Sequence, residues 1–267
     1  MSVAASDLAC PNPSSPKLKE MFFVAAKEHG QERDDLPLWG LRPEITPNLA
    51  FPLTSSGRSD HVRRQDVQGL RGGFQILDLL SVEECEAFVA VLEGLGFHTD
   101  AAVSLPYSFR HMTNCNLCVP EFVDELLYKR CEHLLPTIAG YKPVGLNAKF
   151  RCYRYQAGDY FKPHTDGAWP GSRVTGKGFQ SDAFGDRFSQ LTFLILLTDD
   201  YEGGETRFLL EDTSVAVRTP RGGVLVFPHG YHPDSPLHEG SPIHSGVKYI
   251  IRTEVLYPLE AMKIRQS

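Results

Sequence analysis

The chain has no excess of positive charge and no long apolar run, and each absence excludes a class of protein. Its 267 residues contain 27 Lys and Arg against 33 Asp and Glu, which gives a formal net charge of −6. Nucleic-acid binding needs clustered basic residues, so we expect no nucleic-acid partner. The longest apolar runs, such as Leu191–Leu197, are much shorter than the roughly 20 residues that span a bilayer, so we expect no membrane partner.

The chain also lacks the features of a secreted protein. Its start, Met1–Asp7, has neither the basic nor the apolar region of a signal peptide. Only Cys115 and Cys118 are spaced as a pair, and no second Cys or His pair nearby completes a zinc site. The six cysteines are scattered, which is typical of free thiols in a reducing compartment: Cys10, Cys85, Cys115, Cys118, Cys131 and Cys152. These features predict a protein of the cytoplasm or nucleus.

The distribution of proline predicts two parts of unequal character. Residues 1–68 contain scattered prolines and a polar run over residues 54–60, which predicts an N-terminal extension that is partly mobile. We expect residues 69–267 to form one domain, because with 42% hydrophobic residues the chain can bury one sizeable core.

Three helices are predicted from their end signals and apolar spacing. Inside the extension, a capping Ser15, Pro16 in the first turn and a closing Gly30 predict a helix over Lys17–His29. A capping box at Ser81–Glu84 opens a helix through Leu95, and a third is expected from Pro120 to Leu135.

From Leu146 onward, the pattern changes to short strands broken by Gly, Pro and Asp. We predict these strands near residues 147–155, 160–164, 190–197, 204–210, 214–218, 223–227, 236–238 and 247–257, after an earlier one at Gly73–Asp78. Short strands in this number are typical of a jelly roll or sandwich, with the helices packed on one side.

The candidate chemistry begins at the end of one of these strands. The stretch Arg151–Asp166 predicts a strand, a glycine turn and a second strand that ends in His164-Thr-Asp166. Because a strand alternates its faces with period two, His164 and Asp166 point the same way. Two such side chains are not yet a metal site, so a third ligand is needed.

The third ligand is not fixed by spacing. A metal that activates dioxygen beside an organic cosubstrate needs open positions, which two histidines and one carboxylate leave free. A 2-oxo diacid on such a metal would also need a cation for its far carboxylate, and His238 and Lys248 supply a histidine and a cation separated by a turn. The histidines that follow Asp166 are His229, His232, His238 and His244.

Four segments carry motifs in a fixed order: Tyr153–Gly167, Leu191–Phe208, Gly223–Gly230 and Leu237–Tyr249. Together they resemble the prolyl 4-hydroxylase-like iron(II) and 2-oxoglutarate oxygenases. The resemblance implies a mainly β fold with flanking helices (α+β), in the form of a double-stranded β-helix of the jelly-roll or cupin-like type.

The resemblance also implies a catalytic centre and its cofactors. The iron ligands would be His164, Asp166 and His238. Lys248 would bind the C5-carboxylate of 2-oxoglutarate, and Tyr155 and Thr192 would hydrogen-bond the same molecule. The implied enzyme is a dioxygenase that uses Fe(II), 2-oxoglutarate and O2, with L-ascorbate (vitamin C) as reductant, to hydroxylate an unactivated C–H bond.

Some of these roles have competing interpretations. Strand alternation puts Lys248, Ile250 and Arg252 on one face, so Arg252 is the competing anchor, although we expect it to form an ion pair with Asp or Glu instead. Tyr155 and Thr192 could instead pack in the core, with their hydroxyls bonded to the backbone. A cupin-like metal enzyme without 2-oxoglutarate and a non-catalytic metal-binding module are the other candidates.

The substrate is the least determined part. The resemblance implies prolyl 4-hydroxylase-type action on a peptidyl proline, although Leu196 stands where many collagen-type members have tyrosine. A free amino acid or other small metabolite is the alternative, because the chain is short and shows no peptide-binding domain.

Residues on the substrate side are predicted from position. Tyr153 shares a strand face with Tyr155 and could line the substrate side, and Arg110 and Asn114 are further candidates. The Gly-rich connection over residues 167–189 predicts a lid, in which Trp169, Phe179 and Phe184 would cover a substrate.

Overall fold

Two facing β-sheets carry the core of the computed structural model, which describes residues 16–54, 60–103 and 105–263. The strands are β1 (Phe22–Glu28), β2 (Leu36–Leu41), β3 (Arg63–Asp66), β4 (Phe74–Leu77), β5 (Arg110–His111), β6 (Thr113–Cys118), β7 (Gly145–Leu146), β8 (Lys149–Tyr155), β9 (Tyr160–His164), β10 (Arg173–Thr175), β11 (Gly178–Gln180), β12 (Arg187–Leu196), β13 (Glu202–Gly203), β14 (Thr206–Leu209), β15 (Ser214–Val217), β16 (Val224–Pro228), β17 (Leu237–Gly240), β18 (Ile243–Ser245) and β19 (Lys248–Pro258). The helices are α1 (Pro16–Glu20), α2 (Pro47–Ala50), α3 (Val82–Leu95), α4 (Glu121–Cys131) and α5 (Glu260–Lys263), with a 3-10 turn at Glu132–Leu134.

The large sheet has ten strands and the small sheet five. The large sheet runs in the order β1-β2-β6-β8-β19-β12-β16-β4-β3, with β7 added beside β19. The small sheet runs β15-β14-β17-β9-β5, and β10–β11 and β13–β18 form two further pairs. The central strands of the two sheets therefore come from distant parts of the chain, which brings separate sequence motifs into one space.

The apolar pattern of β12 shows how the two faces of the large sheet are used. Leu194 and Leu196 pack between the sheets with Phe208 and Phe227, whose ring centroids lie 5.1 Å apart. Phe193 and Ile195 point to the opposite face and join the larger core. A strand buried on both faces reads as a nearly continuous apolar run, which explains the run at Leu191–Leu197.

Helices α3 and α4 cover the outer face of the large sheet. Phe88 and Leu92 of α3 and Leu127 of α4 belong to that core. The predicted capping box is confirmed: Ser81 Oγ accepts from Glu84 N at 3.1 Å, and Glu84 Oε2 accepts from Ser81 N at 2.9 Å. This end of α3 is thereby fixed against the sheet that carries the site.

The predicted helix over Lys17–His29 is wrong. Only α1 is helical there, and Phe22–Glu28 form strand β1, which pairs antiparallel with β2. The capping signals are local, whereas Leu18 and Phe22 are buried in the main core and β2 joins β6, so tertiary pairing overrides them.

Strands β1, β2 and β3 lie in the stretch that we predicted as an N-terminal extension, yet they belong to the large sheet. The division of the chain at residue 68 stays a prediction, and residues 1–15 lie outside the described residues.

The mainly β fold with flanking helices is confirmed, as are strands close to the predicted positions in the second half of the chain. Among the residues that the structure describes, no helix has the length and apolar composition needed to cross a bilayer.

Candidate metal centre

Two histidines face each other across neighbouring strands of the small sheet. His164 at the end of β9 is the register partner of His238 in β17, and their ring centroids lie 4.3 Å apart. Each Nδ1 lies beside a backbone carbonyl, His164 at 2.8 Å from Lys162 O and His238 at 3.1 Å from Pro236 O. Since a carbonyl only accepts, Nδ1 carries the proton and Nε2 keeps its lone pair for a metal.

A register shift in β9 places His164. His238 pairs with His164 and Gly240 pairs with Phe161, so the stretch of β9 is one residue longer than that of β17. This bulge lets the rings of Phe161 and His164 stack, with centroids 3.6 Å apart. The imidazole is therefore held flat against an aromatic ring and aimed into the space between the sheets.

Asp166 completes a group of three. One carboxylate oxygen lies 3.8 Å from His164 Nε2 and the other 3.8 Å from His238 Nε2. The three ligand atoms lie within 4.8 Å of one another. Burial lowers the pKa of His164 to about 4 and also lowers the pKa of His238, so both rings are neutral at pH 7 and able to bind a metal.

Two side chains of the large sheet hold the Asp166 carboxylate. Thr192 donates to Oδ2 at 2.6 Å, and Arg252 Nε lies 3.1 Å from the same oxygen. Burial alone would raise the pKa of Asp166, but the positive charge of Arg252, with the two histidines, holds it well below its usual range. Arg252 also pairs with the buried Glu254 at 3.1 Å, which confirms its predicted ion pairing.

Lys248 is the second buried cation on the same face of β19. Its side chain is 3% exposed, and Nζ donates to Gly204 O at 2.6 Å. It lies opposite Tyr155 in the register and 5.4 Å from the centre of that ring. Within the described residues it forms no ion pair, and burial lowers its pKa to about 8. A buried ammonium without an acid is costly, so this site favours an anionic ligand.

A cavity between the sheets joins the three-residue group to Lys248. Tyr153 and Tyr155, both predicted from the sequence, lie in its wall. The lining consists of Tyr153, Tyr155, Phe161, His164, Asp166, Thr192, Leu194, Thr206, Phe227, His238, Glu239, Gly240, Lys248, Ile250 and Arg252. The structure thus brings together the predicted ligands and the predicted contacts of 2-oxoglutarate in one space.

The other predicted substrate-side residues do not line this cavity. Arg110 is buried, and the only hydrogen bond of its side chain within the described residues is a long one, 3.4 Å, from Nη1 to Thr99 O. Asn114 donates to His98 O and Asp100 O and so braces a neighbouring loop. Arg110 nevertheless pairs in register with Phe161, and Asn114 with Tyr153, so each lies on a strand beside a residue that lines the cavity.

The connection over residues 167–189 is more ordered than predicted. It contains the β10–β11 hairpin, and Arg173 binds Asp124 of α4 through two hydrogen bonds of 2.7 and 2.9 Å. Phe179 packs against the main core, whereas Trp169 and Phe184 are partly exposed, at 41% and 38%. Phe179 is thus unsuited to the predicted lid, and Trp169 stays a prediction on the substrate side.

The cysteine pair shows no sign of metal or redox use. Cys115 lies opposite Cys152 in the register, and Cys118 lies opposite Lys149. Burial raises the pKa of Cys115 and of Cys118 to about 12, so neither thiol ionises at neutral pH.

His229, one of the four histidines that follow Asp166 in the sequence, lies beside the ligand group rather than in it. It directly follows β16, is 1% exposed, and lies 2.9 Å from Thr192 Oγ1 and 2.8 Å from Ser189 Oγ. A histidine at the end of a wholly apolar strand was the available signal, since such a ring is buried only with partners for both nitrogens.

Comparisons with known proteins agree with this geometry. Residues 149–253 match the family model of the 2OG-Fe(II) oxygenase superfamily, and these residues include the three-residue group and Lys248. No curated protein is similar enough in sequence to count as a relative.

Similar solved structures include three prolyl hydroxylases at low identity. A viral collagen prolyl hydroxylase from Paramecium Bursaria Chlorella virus-1, in complex with 2OG, is 20% identical over 70% of this chain and 96% of its own, with a TM-score of 0.47. A Pseudomonas putida prolyl-4-hydroxylase is 15% identical over 69% and 91%, with a TM-score of 0.46. A Trichoplax adhaerens prolyl hydroxylase, in complex with a hypoxia inducible factor peptide fragment, is 17% identical over 61% and 70%, with a TM-score of 0.41. Over residues 149–253, this chain is thus similar to the 2OG-Fe(II) oxygenase superfamily.

Proposed function

We propose that the protein is a 2-oxoglutarate-dependent hydroxylase in which His164, Asp166 and His238 hold Fe(II). The observation that carries the proposal is the convergence of two neutral imidazole nitrogens and one ionised carboxylate in a buried space. Two histidines and one carboxylate are the ligand set of iron(II) oxygenases that keep positions open for a cosubstrate and dioxygen.

Lys248 would bind the C5-carboxylate of 2-oxoglutarate. Its ammonium is buried in the same cavity as the three ligands and forms no ion pair within the described residues. Tyr155, its register partner, lines the cavity beside it and is the proposed second contact. Arg252 is the weaker candidate for the anchor, because Asp166 and Glu254 already neutralise it.

The bound iron and 2-oxoglutarate would supply the oxidising chemistry for C–H hydroxylation, with release of succinate and CO2. The chain's own residues orient the two ligand histidines and shield one of them from solvent. The backbone carbonyls of Lys162 and Pro236 fix the histidine tautomers, and Phe161 covers one face of His164. Ascorbate would act from solution as reductant.

A peptidyl proline is the leading substrate, because the four ordered motifs resemble prolyl 4-hydroxylases. One observation favours a small molecule that carries an acid as the second candidate. Arg110 is a buried guanidinium without an ion pair in the described part of the chain, and it lies on the strand beside Phe161, which lines the cavity. A buried cation of this kind would suit the carboxylate of a free amino acid.

The first test is an anaerobic titration with Fe(II) and then 2-oxoglutarate, followed by visible absorption. We expect a metal-to-ligand charge-transfer band that His238→Ala loses. Iron binding without a band would refute the cosubstrate and leave a cupin-like metal enzyme, and absence of metal binding would leave a non-catalytic module. Succinate release on addition of proline-containing peptides, compared with free amino acids, then decides between the two substrate classes.

A further inference from the structure

A chain of hydrogen bonds runs behind the Asp166 carboxylate. It begins at the backbone N–H of Trp169, which donates to Ser189 Oγ at 2.8 Å. Ser189 Oγ lies 2.8 Å from His229 Nε2, and His229 Nδ1 lies 2.9 Å from Thr192 Oγ1. Thr192 then donates to Asp166 Oδ2 at 2.6 Å. Ser189, Thr192 and His229 are each at most 2% exposed, so water does not compete for these bonds.

The direction of every bond in this chain is determined. An ionised carboxylate only accepts, so the one hydroxyl proton of Thr192 goes to Asp166. Thr192 Oγ1 must therefore accept from His229 Nδ1–H. Burial lowers the pKa of His229 to about 4, so its ring is neutral and Nε2 accepts the hydroxyl proton of Ser189. Ser189 in turn accepts from the N–H of Trp169.

The hydrogen-bond chain ends at one of the two oxygens of the Asp166 carboxylate. Thr192 and Arg252 both face Oδ2, at 2.6 and 3.1 Å. Within the described residues no hydrogen bond reaches Oδ1. Each oxygen lies 3.8 Å from one ligand histidine, Oδ1 from His164 Nε2 and Oδ2 from His238 Nε2, so the hydrogen bonds alone distinguish them. The two oxygens of the carboxylate are thus chemically unequal before any metal binds.

We propose that Ser189, His229 and Thr192 are positioning residues that occupy Asp166 Oδ2, so that Asp166 binds iron through Oδ1 alone. This inference rests on the proposed iron site. A carboxylate bound through both oxygens would fill one position more, and that position is needed by the cosubstrate or dioxygen. The same hydroxyl that the resemblance assigns to 2-oxoglutarate would then serve the metal ligand instead.

The test measures metal affinity rather than turnover. Fe(II) or Mn(II) is titrated into the full chain without 2-oxoglutarate or oxygen, and urea unfolding of each variant is followed in parallel. Thr192→Val removes the donor to Oδ2 and should weaken metal binding by about 10- to 100-fold, the usual effect of losing a partner of a metal ligand. His229→Phe leaves the Thr192 hydroxyl without its donor and should weaken binding by about tenfold.

The chain offers a matched control and a rescue. Thr253 is also fully buried and pairs with Phe193 of β12 in the register. Its hydroxyl donates a hydrogen bond to Asn147 O at 2.6 Å. Thr253→Val should reduce stability but leave metal affinity unchanged. His229→Asn keeps an N–H donor near the position of Nδ1 and should bind metal more tightly than His229→Phe.

The outcomes separate the two proposals. Loss of metal affinity in Thr192→Val and His229→Phe, with Thr253→Val binding normally, supports the positioning role. Equal affinity in Thr192→Val and wild type, or an equal loss in Thr253→Val, overturns it while leaving the iron site intact. If the wild-type chain binds neither metal, the iron site fails and the positioning role fails with it.

Discussion

Removal of the Lys248 charge should stabilise the protein at pH 7. The ammonium is 3% exposed, and its one hydrogen bond within the described residues is to Gly204 O. Burial lowers its pKa from 10.5 to about 8. Because one pKa unit corresponds to about 1.4 kcal/mol, keeping the charge costs the folded state about 3 kcal/mol.

The pH dependence follows from the sign of that shift. The folded-state pKa lies below the unfolded value, so the full cost is present below about pH 8, where both states are charged. The cost is relieved as the pH rises from about 8 to 10.5, because the unfolded chain then binds more protons than the folded one. Lys248→Met avoids the cost but leaves Gly204 O without its donor, a loss of about 1 kcal/mol. We therefore expect Lys248→Met to be about 2 kcal/mol more stable than wild type at pH 7, and no more stable at pH 10.5.

Urea unfolding at both pH values measures this difference, and the same substitution at Lys149 is the control. The Lys149 ammonium contacts Glu28 and is also largely buried, so Lys149→Met should destabilise by leaving that carboxylate without its cation. The Lys248 variant should also lose the stabilisation that 2-oxoglutarate gives to wild type. The reasoning is refuted if Lys248→Met is no more stable than wild type at pH 7, or if the difference in their free energies of unfolding is independent of pH. Either result would mean that burial of the Lys248 charge does not destabilise the folded state.

Three further predictions concern other parts of the molecule. Arg130 binds Glu84 through two buried hydrogen bonds of 2.7 and 3.0 Å, so Arg130→Met should lower the free energy of unfolding by about 3–5 kcal/mol. The control is Arg63→Met at the exposed pair with Asp78, which should lower it by at most about 1 kcal/mol. Equal losses for the two variants in urea unfolding would contradict this prediction. Burial would raise the pKa of Asp100, but hydrogen bonds from four backbone N–H groups, of residues 31–33 and 101, lower it. The stability that Asp100 contributes above about pH 4 should therefore be lost as the pH falls. Acid unfolding followed by circular dichroism should be less dependent on pH in Asp100→Asn than in wild type. His164→Ala and Asp166→Ala should abolish succinate formation, and activity with a normal iron content would remove them from the ligand set.

Much of the fold follows from local patterns in the second half of the chain. The capping box at Ser81 predicts α3, and short apolar runs predict β8, β12, β16 and β19 close to their observed positions. The N-terminal strands could not be found this way. β2 is held in place by a parallel pairing with β6, whose paired residues come 78 positions later, and no local signal encodes that pairing.

In the site, too, some residues could be predicted from the sequence and others could not. His164 and Asp166 do lie together, as predicted, but β9 ends at His164, so alternation along a strand is not what brings Asp166 there. It does not find His229, because the hydroxyls that bind this ring belong to Ser189 and Thr192, 40 and 37 residues away in sequence. A hydrogen bond between distant strands leaves no periodic trace in the sequence.

The two cations on one face of β19 show what the structure adds to the pattern. Alternation places Lys248 and Arg252 on the same face, and both line the cavity, so periodicity alone cannot rank them as anchors. The groups that surround the two side chains distinguish them. Arg252 meets Asp166 and Glu254, whereas Lys248 meets a carbonyl oxygen and the rings of Tyr155 and Tyr201. A dicarboxylic acid would gain little from a guanidinium that is already neutralised, and more from a buried ammonium that forms no ion pair within the described residues.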